Sequence, residues 1–531
     1  MLFNSYIFIF VFLPVVLAGF YLVGRSSHAM AALWLAAASL FFYGWWDARY
    51  VGLLLASIAF NYAAGYAISH RAGQKSAATR RMLVAAIAVN LMFLVYFKYA
   101  NFFVDNLNQL TGSSLTLATV ILPLGISFFT FTQIAFLVDT WQGKVKEFNF
   151  VHYALFVTYF PHLIAGPVLH HAEMMPQFAR RTVCRINWDN IAVGLSIFVL
   201  GLAKKVLLAD SVADFSTPVF AAVQAGGQPM VFEAWVGALA YTLQLYFDFS
   251  AYSDMAIGLS LMFNVRLPLN FNSPYKATSI IEFWRCWHMT LSRFLRDYLY
   301  IPLGGSRTGT ARRYANLMLT MLLGGLWHGA GWTFVIWGAL HGTYLLLNHA
   351  WRGLKARLGW AGGGRLAALG AGALTFLAVV VGWVFFRADS LSSAVTILQG
   401  MAGLNGVSLP PWLEARLGPL VLQYPQVVFD GVHPLVANLN PGDAIALLAL
   451  GLAMVWLTPN MHQIFLRYQP VCEDGHVAPP ADLAPQRAWH HKLQHLLRWH
   501  PSPTRAWGIG ALLVVSLMSM DRVSEFLYFQ F

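Results

Sequence analysis

Apolar runs close to the length of a membrane-crossing helix recur from one end of this chain to the other, and no other feature constrains the fold as much. A helix needs about 20 apolar residues to cross the hydrocarbon core of a bilayer. Runs of that order lie at 3–24, 29–47, 51–70, 82–98, 114–137, 190–209, 230–247, 367–386, 441–458 and 506–520. The stretches 150–170, 251–264 and 315–347 are also apolar but are broken by Gly, Pro or His. They read as spans, hairpins or re-entrant segments, because irregular backbone is tolerated at depth only where protein or a wet cavity satisfies it. The first run, Leu2 to Val23, has no basic leader and no clear small-residue cleavage site, so it reads as a retained span. The expectation is an all-α polytopic membrane protein, one integral domain over residues 1–531 with about 10–13 membrane segments.

Composition rules out the soluble alternative. Only 11% of the 531 residues are charged and 58% are hydrophobic, whereas soluble domains carry about 25% charged residues. The formal net charge of +12 is spread in short clusters between apolar runs. Such clusters suit topology signals facing anionic lipid better than a nucleic-acid surface, and no nucleic-acid partner is expected. Cys184, Cys286 and Cys472 are too few and scattered for a disulfide framework or a zinc site.

Cytoplasmic loops collect Lys and Arg. Arg25, the cluster Arg71, Lys75, Arg80 and Arg81, then Lys144 and Lys146, all fall inside if the N-terminus is outside. Arg293, Arg296, Arg307, Arg312 and Arg313 make 293–314 the most basic connection, also inside, as are Arg352, Lys355, Arg357 and Arg365. Segment 387–440 is then periplasmic, 465–505 cytoplasmic, and the tail Asp521–Phe531 outside. Within 465–505, Gln486–His500 has the pattern of an amphipathic helix lying on the inner leaflet.

Ionisable groups inside membrane segments cost about 2.5–3.5 kcal/mol on insertion scales and so mark functional candidates. His328 stands in Leu323-Gly-Gly-Leu-Trp-His-Gly-Ala-Gly-Trp332, with no acid, lysine or arginine between Tyr314 and Trp351. A neutral imidazole among small residues suits a general base open to a narrow substrate; alternatively, a neighbouring helix satisfies it and the glycines serve packing. His288 follows Glu282-Phe-Trp-Arg-Cys-Trp, and helical spacing puts Trp284, His288, Leu291 and Leu295 on one face. Its plain alternative is a hydrogen-bonded core histidine. Asp248 and Asp254, in an aromatic setting, could orient a histidine or bind substrate; the alternative is pairing with an arginine for assembly. The loop after Gly304-Gly305 is basic but has no Gly-Lys-Ser/Thr, so it is not a Walker loop and reads first as a positive-inside connection. His490, His491 and His495 lack a metalloprotease pattern, and no metal is expected; His162, His170 and His171 flank the break at Gly166-Pro167.

Several blocks resemble the bacterial membrane-bound O-acyltransferases, and within them the alginate O-acetylase group. They are Pro123-Leu-Gly-Ile-Ser-Phe-Phe-Thr-Phe131, Pro161-His-Leu-Ile-Ala-Gly-Pro167 and Tyr246-Phe-Asp-Phe-Ser-Ala-Tyr-Ser-Asp254. Further blocks are Asn270-Phe-Asn-Ser-Pro-Tyr275, Glu282-Phe-Trp-Arg-Cys-Trp-His288, Arg296-Asp-Tyr-Leu-Tyr-Ile-Pro-Leu-Gly-Gly305 and Gly325-Leu-Trp-His-Gly329. Cys286, where the family pattern has a second arginine, and Ala251, where it has a glycine, bear on substrate preference rather than chemistry. The resemblance implies a ring of tilted helices around a tunnel, with His328 as the catalytic histidine and His288 as a second active-site position. Asp248, Asp254, Trp327, Tyr298 and Asn272 stand as candidate substrate or tunnel residues, and Arg293, Arg296 and Arg307, in the basic cytoplasmic loop, as candidates to bind the phosphates of acyl-CoA.

The activity implied is O-acetylation of an exopolysaccharide, alginate first, at the bacterial inner membrane. The donor is acetyl-CoA as a substrate, with no bound cofactor. A periplasmic or membrane-anchored partner completes transfer, because no soluble nucleophile domain is fused. In this scheme His328 is the general base, and His288 orients the thioester or stabilises its oxyanion. Rival readings are transfer of D-alanyl or another acyl group, a polysaccharide exporter or channel, and a scaffold for a polysaccharide synthase.

Overall fold

A computed structural model describes every residue except 72–74, 118–119, 308, 361–362, 410, 422–425, 430–439, 473–487, 521–526 and 528–531. The described chain is helical almost throughout. Its strands are one two-residue parallel pair, Val407–Ser408 with Val427–Val428, inside the segment expected to be periplasmic. Among the described residues, five helices are long and apolar enough to cross a membrane: Phe8–Ser26, Arg49–His70, Ala77–Thr111, Trp188–Gln224 and Arg365–Arg387. Shorter apolar helices are His28–Gly44, Ile126–Trp141, Pro441–Leu457 and Pro503–Met518. Large apolar side chains such as Phe10, Leu22, Leu366, Leu374 and Trp507 point outward. In water they would form aggregation-prone patches; in lipid they face their own kind.

Helix Val231–Met262 is the central post. At 32 residues it is about 48 Å long. It is buried nearly all round, as expected of a helix enclosed by others. It packs against Trp188–Ala203, Asp210–Gln224, Arg365–Arg387, Leu391–Met401 and Pro441–Leu457. Gly194 and Gly258 let it meet the Trp188–Ala203 helix backbone to backbone: a methyl group on either would come within 2.5 Å of the other's carbonyl oxygen. Sequence reading divided this post at residue 248. The polar residues in Asp248–Asp254 looked like an interruption, but they are held by neighbours and the helix runs on.

Two other boundaries move. The run 114–137 becomes helical at Ile126, in the helix Ile126–Trp141; Gly125 at φ +70° opens it, and 114–117 and 120–125 are non-helical. Helix Ala77–Leu94 continues through a π-helical turn, Val95–Tyr99, to Thr111. A second π-helical turn, Lys204–Ala209, lies within Trp188–Gln224. Such turns are frequent at functional sites, and here each presents lysine side chains inward.

Candidate active site

Helices Thr310–His328 and Trp332–Arg357 form a close hairpin. Gly325 lies against the Phe334 carbonyl and Gly338 against the Met321 carbonyl, with no room for a methyl group on either. Gly325, one of the glycines near His328, therefore serves packing, as does Gly338 on the facing helix. Packing places His328 at the last residue of its helix, beside the turn Gly329–Gly331.

His328 is enclosed by aromatic rings. Trp327, Trp337 and Phe386 lie edge-on to it, with centroids at 4.9, 5.2 and 5.1 Å. The His288 ring is 6.5 Å away. Between the two histidines is a narrow cavity of about 20 Å³, lined also by Leu245, Asp248, Phe249, Trp287, Trp383 and Leu527. That volume has room for one or two water molecules, since a single water needs about 10–15 Å³. A larger cavity of about 310 Å³ lies on the other side of His328, lined by Trp46, Lys98, Ser127, Phe128 and Trp327 among others. His328 is the one side chain common to both linings.

His288 does not sit on a continuous helical stripe. It occupies a left-handed position, φ 42° and ψ 52°, between helices Ile280–Cys286 and Met289–Leu295. A non-glycine residue in that region is strained and is held only where its surroundings insist. Asn270 does the insisting. Its backbone oxygen accepts from Met289 N at 2.9 Å, and its Oδ1 accepts from Thr290 Oγ1 at 2.8 Å. His288 Nδ1 lies 3.0 Å from that same Oδ1, and Asn270 Nδ2 donates to Ser253 Oγ at 3.3 Å. A carbonyl oxygen only accepts, so Nδ1 carries the proton. Neutral His288 then presents the lone pair of Nε2 and donates to an oxyanion only as the imidazolium.

The acids are matched by lysines, not by the arginines anticipated for them. Lys205 reaches Asp210 Oδ1 at 2.6 Å and Asp248 Oδ1 at 2.8 Å, with Lys205 and Asp248 side chains 3% and 4% exposed. Asp248 Oδ2 also accepts from the backbone N–H of Leu527 at 3.2 Å. Asp254 pairs with Lys204, which also donates to Ser250. Asp248 thus lines the narrow cavity, while Asp254 is tied to the neighbouring helix.

The other sequence candidates separate. Trp327 lines the larger cavity and stacks on Phe131 at 5.3 Å. Asn272 accepts from Asn460 Nδ2 at 2.7 Å and its N–H donates to Cys286 O at 2.9 Å, bracing the chain before His288. Tyr298 belongs to a different polar cluster: its hydroxyl donates to Asp139 Oδ2 at 2.7 Å and lies 3.1 Å from His170 Nδ1. Arg293 pairs with Glu173 at 2.5 Å and Arg296 with Asp297 at 2.7 Å, while Arg307 is exposed on a turn. None of these three arginines lines the two cavities at His328. The basic cavity is elsewhere: about 510 Å³, lined by Arg285, Arg352 and Lys355 with Glu282, Asn348 and Trp351. Glu173 accepts from the backbone N–H of His170, and Asp139 lies 3.2 Å from His171 Nδ1.

Sequence reading passed over Lys98, Lys204 and Lys205, though a lysine within an apolar run is itself the signal. It also passed over Asn270, Trp337, Trp383 and Phe386, which no local pattern distinguishes from ordinary core.

A many-helix membrane protein with paired histidines in a narrow, aromatic-walled cavity defines the class: a membrane acyl-transfer protein. Residues 76–388 match the membrane-bound O-acyltransferase family. The chain belongs to that family and is an acyltransferase. It is 46% identical to the peptidoglycan O-acetyltransferase of Helicobacter pylori, over 77% of this chain and 81% of the relative. It is 44% identical to the probable alginate O-acetylase of Pseudomonas aeruginosa, over 82% of each. Identity to the probable alginate O-acetylase of Pseudomonas fluorescens is 37%, over the full length of both.

Proposed function

We propose that this protein moves acetyl groups from acetyl-CoA, on the cytoplasmic side of the inner membrane, to an envelope polysaccharide on the other side. The observation carrying this reading is that His328 alone lines both the narrow cavity and the larger one. By the lysine and arginine distribution, the cavity of Arg285, Arg352 and Lys355 faces the cytoplasm, and the one with Trp46 and Lys98 faces outward. Coenzyme A is large and anionic and stays at the basic inner mouth, held by charge-assisted hydrogen bonds.

The steps follow from these positions. An acceptor hydroxyl enters from the outer cavity, and His328 takes its proton as its oxygen attacks the thioester carbon. The tetrahedral intermediate collapses with cleavage of the C–S bond, and the imidazolium returns the proton to the departing thiolate. General base catalysis of this kind contributes about 10²–10⁴-fold. His288, presenting Nε2 as an acceptor, orients the donor through an amide N–H of its pantetheine arm. A periplasmic or membrane-anchored partner supplies the first hydroxyl and passes the acetyl group to the polymer.

Alginate is the polymer favoured by three points: the sequence resemblance, the 44% relative and the full-length 37% relative. Peptidoglycan is the second reading, favoured by the 46% relative. The test is H328A, expressed and inserted at wild-type level, with acetyl ester measured on both polymers. Loss of ester from the exopolysaccharide alone supports the first reading, and loss from muramic acid alone the second. Wild-type ester on both rejects the role of His328.

A further inference from the structure

Lys98 is a charge in the middle of an apolar helix. It lies in the π-helical turn Val95–Tyr99, and its ammonium ends at the catalytic helix. It donates to the carbonyl oxygens of Trp327 at 2.5 Å and His328 at 3.0 Å, and lies 3.4 Å from Ser127 Oγ. The next residue, Tyr99, donates its hydroxyl to Leu326 O at 2.7 Å. Three successive carbonyls at the end of the Thr310–His328 helix are thus met by two successive side chains. The wider π turn brings neighbouring side chains nearer to one face, which lets both point the same way.

The last carbonyls of a helix have no partners within it, and the helix dipole makes that end negative. Tyr99 shows that a neutral donor is enough to satisfy one of them. Lys98 has no carboxylate partner among the described residues; its Nζ is held by neutral oxygens at the negative end of the helix dipole. Burying an amine among apolar side chains is costly, and a neutral donor would cap as well, so a capping task alone does not account for it. Lys98 and His328 also line the same outer cavity, with Trp327 between them.

We propose that Lys98 is a positioning residue for acyl transfer: its ammonium pins the Trp327 and His328 carbonyls and so fixes the His328 imidazole between the two cavities. The inference rests on the reading that His328 transfers the acetyl group. Without the clamp, the final helical turn and the Gly329–Gly331 turn are free to shift. A displacement of about 1 Å at a reacting group costs on the order of 10²-fold in rate. The donor mouth, lined by Arg285, Arg352 and Lys355, is formed by other elements and is unchanged by loss of Lys98.

The test uses purified full-length protein, labelled acetyl-CoA as donor and an oligosaccharide acceptor with the partner protein present. K98M keeps the length and apolar stem of the side chain. It is expected to melt within a few degrees of wild type, to keep its KM for acetyl-CoA within about twofold, and to lose kcat by about 10²-fold. K98A is expected to regain about tenfold in kcat with propylammonium, and K98R to keep more activity than K98M. A K98M kcat within threefold of wild type overturns the proposal, with "threefold" taken as about the scatter of such assays. So does a kcat loss that follows the melting temperature across K98M, K98A and K98R, which marks a purely structural lysine. If K98M does not insert, K98A with and without propylammonium decides, and absence of rescue in folded K98A overturns it. A wild-type protein that transfers nothing from acetyl-CoA refutes the underlying function instead, so the two failures are distinct.

Discussion

Lys205 is the perturbation with the largest expected effect on stability. Its ammonium sits between Asp210 and Asp248, at 2.6 and 2.8 Å, with side chains 3%, 8% and 4% exposed in the order Lys205, Asp210, Asp248. K205M keeps the apolar stem but leaves two buried carboxylates facing each other. Breaking a buried pair by removing one partner costs about 3–5 kcal/mol, because the charge left behind has no compensation. D248N is milder, about 1.5–3 kcal/mol, since Lys205 keeps Asp210 and the asparagine oxygen still accepts from Leu527 N–H. The triple variant K205M/D210N/D248N removes these three charges together and is expected within about 1 kcal/mol of wild type, as buried pairs replaced by neutral groups of similar size often are. The assay is reversible unfolding in mixed micelles, followed by far-UV circular dichroism, with the variants arranged as a mutant cycle. A triple variant no more stable than K205M would show that uncompensated charge is not what destabilises it. Activity of the triple variant bears on Asp248 separately: full activity makes its role assembly, and loss of activity in a stable protein makes it part of the cavity chemistry.

Two further outcomes follow from the geometry. R352Q/K355Q is expected to raise the KM for acetyl-CoA about tenfold with kcat unchanged, two half-exposed charges at somewhat under 1 kcal/mol each; R296Q, paired with its neighbour Asp297, is expected to leave KM alone, and the reverse pattern would move the donor site to the 293–307 loop. G338A is expected to destabilise by about 1–3 kcal/mol in a detergent melt because its methyl group meets the Met321 carbonyl, whereas G353A on the same helix has open space and should gain about 0.5–1 kcal/mol; equal effects would refute the close hairpin contact.

The sequence by itself determined the solvent, the element type and the candidate chemistry. Apolar runs of helical length require a bilayer, since unsatisfied backbone is intolerable there, and a buried imidazole such as His328 is too costly to be incidental. Matching blocks from Pro123 to Gly329 were enough to reach the family. Tertiary structure decided the partners. Periodicity gave His288 a place on a helical stripe, but Asn270, eighteen residues earlier, breaks the helix there and sets which ring nitrogen holds the proton. Local sequence could assign Asp248 no cation, because Lys205 comes from another helix through a π-helical turn that no periodicity announces. Arg293, Arg296 and Arg307 looked like one basic site by proximity in sequence. In space, acids claim Arg293 and Arg296, and the basic mouth is assembled from Arg285 on one helix and Arg352 and Lys355 on another. Hydropathy and spacing are properties of a single segment and survive in the sequence; charge pairing, tautomer and cavity shape depend on which segments meet, and only packing sets that.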